Sequence, residues 1–311
     1  MNPILFAILV VVTTSLMGSS FAIGKIGLTY VSPLLLVGMR FTLAGLLMAL
    51  WVRKKPIPAT LGEWGKVGLI GFLQTAAVMG CIFLSLRTIT AGESSILTFM
   101  NPLLVVIWGT VFLGMRYRFS QWAGVLVGIA GVFITLGSHL QWETGTLFGI
   151  GSAISWSIAT ILVKKWGIHF NVWVMTAYQM LAGGIVLLIM GVTLEVPKLI
   201  LTPTSVFIVL WLAIMASIVQ FATWFYLLNQ GDPGRTSAFL FLAPFFGVLS
   251  GWLLLDEVVQ WHVYAGGLLI FAGIFLVNWT FSAKRQSQPS AASSDLFSRK
   301  LDVFSKKAIA A

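Results

Sequence analysis

Ten runs of about 18 to 25 mainly apolar residues constrain the fold of this chain more than any other feature. An α-helix of about 20 residues crosses the hydrocarbon core of a bilayer, which is about 30 Å thick. The segments between the runs are short and contain Pro, Gly or charged residues, so none has room for a soluble domain. The predicted spans are 4–23, 33–52, 66–86, 92–113, 120–138, 146–164, 171–191, 205–228, 235–255 and 261–281.

Composition agrees with a multi-pass membrane protein. The chain of 311 residues is 58% hydrophobic and only 9% charged, which is far from the average of soluble domains. Its net charge of +10 does not indicate nucleic acid as a partner, because the Lys and Arg residues lie in short connections and in the C-terminal tail. The expected partners are the lipid bilayer and a small-molecule substrate.

The distribution of positive charge predicts the orientation, since short cytoplasmic loops are enriched in Lys and Arg. If the N-terminus is cytoplasmic, the outer loops receive only Lys25, Arg87 and Lys198, and most other cations fall on the cytoplasmic side. Both termini are therefore predicted to be cytoplasmic, in a multi-pass protein of the inner membrane.

An internal repeat divides the chain into two similar halves. The segment from Gly92 to Phe133 recurs 142 residues later, from Gly234 to Phe275, with thirteen identities in forty-two aligned positions. Self-similarity at a fixed offset is the mark of a duplicated architecture. The first two spans match the sixth and seventh at an offset of 139 residues, which aligns Arg40 with Gln179.

Each half holds five spans, and an odd number gives the second copy the opposite polarity in the membrane. We therefore expect an all-α protein of ten transmembrane helices, arranged as two inverted five-helix repeats. The predicted domains are residues 1–141 and 142–281, followed by a disordered cytoplasmic tail at 282–311; a membrane-surface helix near 296–304 is the alternative for the tail. Inverted repeats place substrate sites near the midplane and favour alternating access.

With these features the chain resembles the EamA type of the drug/metabolite transporter superfamily. The resemblance covers residues 1 to about 281 and rests on the order and spacing of several short motifs. These are Lys25, Pro33 and Arg40, the steps Asn101-Pro102 and Ala243-Pro244, the sequence Leu255-Asp256-Glu257, and Gly266 with Gly273. It implies ten helices from a duplicated five-helix unit and transport of small solutes. One departure is that Met115 replaces, in the first half, the acid that Glu257 matches.

Arg40 and Glu93 are the charges with two competing interpretations. Arg40 lies about seven residues into the second span, where a cation normally faces protein or a water-filled cavity. It either binds a substrate carboxylate, or has a structural role in which it pairs with backbone carbonyls or extends to the outer membrane interface. Glu93 begins the fourth span and either caps that helix or couples transport to protons. The second interpretation is weak, because no acid lies near the middle of a span.

Uncharged polar and aromatic residues near the middle of the spans are the other candidates for a substrate cavity. Amide and hydroxyl groups inside a span need partners, so some of them must bond neighbouring helices instead. The cavity candidates, with Arg40, are Gln74, Asn101, Trp156, Gln179, Gln220 and Trp224. Pro102 and Pro244 fall at equivalent depths and are expected to kink their helices, either as gates or as static bends.

These observations favour a secondary transporter that exports a small metabolite, such as an amino acid, or a drug. The alternative is a membrane protein with a structural or lipid-scrambling role. We predict no enzyme, no cofactor and no metal, because Cys81 is the only cysteine, the three histidines lie near span ends, and no phosphate-binding G-x-x-x-x-G-K-[ST] motif occurs. Substrate, direction, proton or counter-solute coupling and oligomeric state stay open at this point.

Overall fold

The computed structural model describes residues 3–113, 117–135, 143–230, 239–258 and 260–278. Within these ranges the fold is helical, and the one pairing of extended residues is an isolated antiparallel bridge between Val31 and Leu199. The helices are α1 (Pro3–Gly27), α2 (Pro33–Val52), α3 (Leu61–Ser85), α4 (Ala91–Thr98 and Asn101–Leu113), α5 (Phe119–Thr135), α6 (Thr144–Trp166), α7 (Val172–Thr193), α8 (Pro203–Ala213, Ile214–Val219 and Gln220–Gln230), α9 (Leu242–Leu255) and α10 (Trp261–Asn278).

Seven of these helices, α1 to α4 and α6 to α8, are long and apolar enough to cross a membrane. The described apolar parts of α5, α9 and α10 are shorter. The all-helical membrane fold therefore agrees with the sequence, whereas ten crossings with inverted topology stay predictions. Large apolar side chains on the outer surface, including Leu50, Leu126 and Leu268, are 65%, 67% and 68% exposed, as suits contact with lipid.

Two helix pairs pack with little space between their backbones, α2 against α7 and α5 against α10. In the second pair, a Cβ on Gly124 would lie 2.6 Å from the carbonyl oxygen of Gly273, and one on Gly131 would lie 2.7 Å from that of Gly266. Glycine is needed at such contacts because only hydrogen fits between the backbones, and close packing drives helix association in lipid. The glycine pattern of these two helices therefore determines how closely they pack.

Helix ends define two faces of the molecule. The latch face consists of the connecting residues 28–32, 86–90, 194–202, 256–258 and 260. The cavity face consists of residues 53–60, 117–118 and 167–171. On the latch face, a hydrogen bond from Ser32 N to Lys198 O joins two connections, and one from Gly145 N to Thr88 Oγ1 joins the first turn of α6 to a third.

Four helices, α3, α4, α8 and α9, contain or follow irregular turns at positions related by the repeat. α3 has a π-helical segment at Gly71–Ala77, and α8 has one at Ile214–Val219, 142 residues after Phe72–Ala77. α4 is interrupted at Phe99 and Met100, and Pro102 lies in the first turn of the segment that follows. Pro244 likewise lies in the first turn of α9, after a 3₁₀ turn at Phe239–Phe241. Proline is tolerated there because the first helical N–H groups have no intrahelical acceptor.

Candidate functional site

A cavity of about 470 Å³ lies inside the helix bundle, where two hydrophobic clusters meet. One cluster is formed mainly by α1, α2, α3, α7 and α8, and the other mainly by α4, α5, α6 and α10. The lining begins near the middle of the helices, at Met17 and Phe99, and reaches helix ends at the cavity face, at Tyr117 and Val277. Its size is in the usual range for a small-molecule site.

Six of the seven residues predicted for the substrate cavity line this one space. They are Gln74, Asn101, Trp156, Gln179, Gln220 and Trp224, and Pro102 also borders it. They come from α3, α4, α6, α7 and α8, so both halves of the chain contribute. Pro244 is buried but does not line the cavity.

The carboxamides of Gln74, Asn101 and Gln220 make no hydrogen bond with any other described residue. Asn101 and Gln220 are only 8% and 5% exposed, and the cavity that they line opens at the cavity face. Buried amides are nearly always hydrogen-bonded, because an unpaired buried polar group is destabilising. Three unpaired amides around one cavity are therefore available to a solute or to water inside it.

Aromatic side chains cover the cavity on the side of the latch face. The ring of Phe99 lies 5.4 Å from that of Trp156, in an edge-to-face arrangement, and both residues line the cavity. Phe21, which is 4% exposed, packs against Phe99 at a centroid distance of 6.2 Å. This row of rings closes the space between the cavity and the latch face.

Several polar lining residues were not predicted from the sequence, namely Tyr117, Gln121, Thr160 and Thr176. The hydroxyl groups of Thr160 and Thr176 donate to backbone carbonyls one turn earlier, at Trp156 and Val172. Gln121, Thr160 and Thr176 lie near the ends of predicted spans, whereas the sequence prediction covers polar residues near the middle of spans. Burial raises the pKa of the Tyr117 phenol above 10, so this hydroxyl at the cavity mouth stays neutral.

Arg40 does not line the cavity, because its guanidinium bonds to the π-helical segment of α8. Its Nε donates to Ser217 Oγ at 2.9 Å, and its second terminal nitrogen donates to the carbonyl oxygen of Ala216 at 2.8 Å. The residue is 3% exposed, and no carboxylate among the described residues forms an ion pair with it. These contacts match the structural alternative given for Arg40.

Gln179 makes the corresponding contact in the other half. Its Oε1 accepts a hydrogen bond of 3.0 Å from Thr75 Oγ1, which lies in the π-helical segment of α3. Arg40 aligns with Gln179 at the offset of 139, and Thr75 aligns with Ser217 at the offset of 142. A polar side chain of α2 thus binds a hydroxyl in the π-helical segment of α8, and a polar side chain of α7 binds a hydroxyl in the π-helical segment of α3.

Glu93 closes a capping box at the start of α4. Its Oε2 accepts hydrogen bonds of 2.9 Å from the backbone N–H and the hydroxyl of Thr90, and its own N–H donates to Thr90 Oγ1. Such boxes satisfy N–H groups that lack an intrahelical acceptor. A proton-coupling role for Glu93 would require these contacts to change on protonation.

Glu257 joins three helix ends on the latch face. Its Oε1 accepts a 2.7 Å hydrogen bond from Lys25 Nζ, and both of its oxygens lie 3.0 Å from the N–H of Ala91 at the start of α4. Lys25 also donates to the carbonyl oxygen of Ile89. Asp256, with φ of 51°, ends α9 in the left-handed conformation that turns the chain back, so that Glu257 reaches α1 and α4. We call Lys25, Glu257 and the Ala91 N–H the ionic latch.

Among the described residues, no group of three His, Cys, Asp or Glu side chains could hold a metal ion. The predicted tail at 282–311 and Met115 lie outside the described residues.

Comparison with known proteins identifies relatives along nearly the whole chain. The chain is 25% identical to the uncharacterized transporter YoaV of Bacillus subtilis, over 89% of its own length and 97% of that protein. It is 27% identical to a probable amino-acid metabolite efflux pump of Salmonella typhimurium, over 91% and 97%. It is 26% identical to the uncharacterized inner membrane transporter YedA of Escherichia coli, over 86% and 89%.

The fold also matches a crystal structure with a TM-score of 0.62 at 22% identity, over 86% of this chain and 96% of the other. A model of the EamA-like transporter family matches twice, at residues 3–137 and 143–279. The chain therefore belongs to the EamA-like transporter family.

Proposed function

We propose that this protein is a secondary transporter of the inner membrane that exports a small amphiphilic metabolite, an amino acid or a related compound. The observation that carries the proposal is the central cavity, where three unpaired amides and two tryptophans line one space that opens at the cavity face. The Salmonella relative, named as a probable amino-acid metabolite efflux pump, supports this class of substrate.

The lining favours a solute without net charge. The cavity-lining residues within the described ranges include no Asp, Glu, Lys or Arg side chain. Carboxamides both donate and accept, so the groups of Gln74, Asn101 and Gln220 suit a zwitterion or a neutral polar group. The indole rings of Trp156 and Trp224 suit an apolar side group. Arg40 is then assigned to holding α8, and not to binding a substrate carboxylate.

Alternating access between inverted repeats is the proposed mechanism, and the helix packing supports it. Exchanging the two halves exchanges α1 with α6, α4 with α9, and α3 with α8. The contacts of α1 with α9 and α8 correspond to those of α6 with α4 and α3, and the α2–α7 and α5–α10 pairs map onto themselves. The Arg40–Ser217 and Gln179–Thr75 contacts exchange in the same way.

The conformation fits an exporter that accepts its solute from the cytoplasm. The cavity face carries the cations Arg53, Lys54 and Lys55, and it is therefore assigned to the cytoplasm. The latch face, closed by the aromatic row and the ionic latch, is assigned to the outside. Opening this face and closing the cavity face would release the solute outward.

A resistance screen tests the proposed export. Cells that overproduce the protein are grown on a panel of toxic amino-acid analogues, with a variant carrying Asn101→Ala and Gln220→Ala as a control of equal membrane abundance. We expect growth on at least one analogue, which the variant loses. Equal sensitivity of all strains across the panel would count against export of this class of solute.

A further inference from the structure

A second cavity, of about 390 Å³, lies on the latch face, away from the central cavity. It is lined by residues of the α1–α2 connection, the end of α3 and the α7–α8 connection. The polar residues among them are Ser32, Arg87, Glu195 and Lys198. None of these residues lines the central cavity.

The backbone around this cavity is held by hydrogen bonds. The bridge between Val31 and Leu199 includes bonds from Ser32 N to Lys198 O and from Ile200 N to Tyr30 O, at 3.0 and 2.9 Å. Two connections that are far apart in sequence are thereby fixed side by side. The cavity is thus preformed, which favours ligand binding because less ordering is needed.

Two buried polar atoms at this cavity have no partner among the residues that the structure describes. Ser32 is 8% exposed, and its Oγ makes no hydrogen bond. Glu195 uses Oε2 to accept a 3.0 Å bond from the N–H of Leu34, but its Oε1 is buried and unpaired. An unpaired carboxylate oxygen is especially unfavourable, because charged groups lose more hydration on burial. A cationic donor at this position would satisfy it.

Of the two positively charged side chains at this cavity, Lys198 is bonded to the protein and Arg87 is available to a ligand. Lys198 Nζ donates to the carbonyl oxygen of Thr29 at 2.6 Å. The guanidinium of Arg87 is exposed and forms no hydrogen bond or ion pair with the described residues. Guanidinium binds carboxylate through two parallel hydrogen bonds, and the Ser32 hydroxyl can donate a further one.

We infer that this cavity binds an α-amino acid in its zwitterionic form, with the ammonium group on Glu195 and the carboxylate on Arg87 and Ser32. Such a ligand would satisfy the two unpaired atoms and the unpaired cation together. It would also join the end of α3 to the connection between α7 and α8. The site lies on the face opposite to the cavity mouth, and its occupancy does not depend on transport.

Protection of a reporter cysteine tests the site directly. In a Cys81→Ser background, Val196→Cys places a thiol at the cavity rim, where Val196 is 91% exposed. Protein in lipid nanodiscs is treated with a membrane-impermeant thiosulfonate in the presence of each of the twenty proteinogenic L-amino acids. At least one amino acid is expected to slow the modification.

Variants identify the binding groups. Arg87→Gln and Glu195→Gln are expected to raise the half-protecting concentration about tenfold to a hundredfold, the range for a lost hydrogen bond to a charged group. Glutamine at position 195 keeps an acceptor for the Leu34 N–H, so the local fold should persist. Arg53→Gln, which removes an exposed arginine on the other face, serves as the matched control and should change nothing.

Three results would overturn the assignment. The first is a reactive cysteine that no amino acid protects. The second is protection by acetate or inorganic phosphate as strong as that by amino acids, unchanged in Glu195→Gln, which would indicate a general anion site. The third is loss of protection in the Asn101→Ala/Gln220→Ala variant, which would place the bound amino acid in the central cavity. If an amino acid protects the reporter cysteine but the protein transports no solute, that result would contradict the proposed function and not the amino-acid site.

Discussion

Replacing Glu257 by Gln is expected to loosen the closed latch face. In the structure the carboxylate accepts from Lys25 Nζ at 2.7 Å and from the N–H of Ala91 at 3.0 Å. Glutamine keeps an acceptor for Ala91 but removes the charge that holds Lys25. The ends of α1, α4 and α9 then lose their ionic connection.

The size of the effect follows from burial. The side chain of Glu257 is 8% exposed, whereas that of Lys25 is 29% exposed. A hydrogen bond between charged groups contributes about 1.5–3 kcal/mol, and a fully exposed ion pair contributes about 0–1 kcal/mol. For this partly exposed pair we take about 2 kcal/mol. If the pair breaks when the latch face opens, losing about 2 kcal/mol in the closed state lowers the ratio of closed to open protein about thirtyfold.

Cysteine accessibility measures this ratio. Ser95 lies one turn below Ala91, is fully buried, and packs against Gly247 of α9. In a Cys81→Ser background, Ser95→Cys should react with a membrane-impermeant thiosulfonate only while the latch face is open. We expect Glu257→Gln to accelerate the reaction by up to about thirtyfold.

Matched variants separate the latch from general destabilisation. Glu63→Gln removes another capping glutamate, which lies near the cavity face, and should leave the reaction rate unchanged. Lys25→Met should act like Glu257→Gln, and the double variant should show less than the sum of the two effects. The reasoning is refuted if neither single variant changes the rate while the thiol remains reactive in unfolded protein.

Three further predictions concern the Arg40 contacts with α8, the helix packing and the cavity. Arg40→Leu should lower the free energy of unfolding by about 2 kcal/mol, because it leaves the α8 acceptors unpaired, and Arg40→Gln should lower it less. Thermal unfolding in detergent measures both variants. Equal stability of the two would contradict a structural role of the Arg40 contacts. Gly131→Ala should destabilise by about 1–3 kcal/mol through contact with the α10 backbone, whereas Gly68→Ala, which has open space, should not, in the same assay. Asn101→Ala and Gln220→Ala should reduce transport at least tenfold with an unchanged melting temperature, because their amides bond no described residue.

The sequence predicted the cavity residues because mid-span amides have few uses in a membrane protein. Gln74, Asn101 and Gln220 were chosen on that ground, and they do meet in one space. Arg40 was ambiguous, because a cation in a span satisfies the same pattern whether it binds a solute or a carbonyl oxygen. In the structure, the π-helical segment of α8 presents the Ala216 carbonyl to the Arg40 guanidinium, and this contact leaves no signal in the sequence.

The ionic latch is not predicted from the sequence, although the predicted spans 4–23 and 235–255, which precede Lys25 and Glu257, end on the same side of the membrane. Span counting gives the face of a residue but not its neighbours there, and these two residues are 232 positions apart. Their contact depends on the left-handed turn at Asp256 and on the packing of α1 against α9. The π-helical segments were equally hidden, because one extra residue in a turn leaves no distinct sequence pattern.

Solute counterflow in proteoliposomes tests the central claim, that solute crosses the membrane through the cavity. Val105→Trp fills the cavity, whereas Val111→Trp places the same side chain on the same helix at a position that is 65% exposed. We predict that wild type and Val111→Trp exchange at least one labelled neutral amino acid, and that Val105→Trp does so at least tenfold more slowly. Equal rates for the two tryptophan variants, or no exchange by folded wild-type protein with any of the twenty amino acids, would contradict the account.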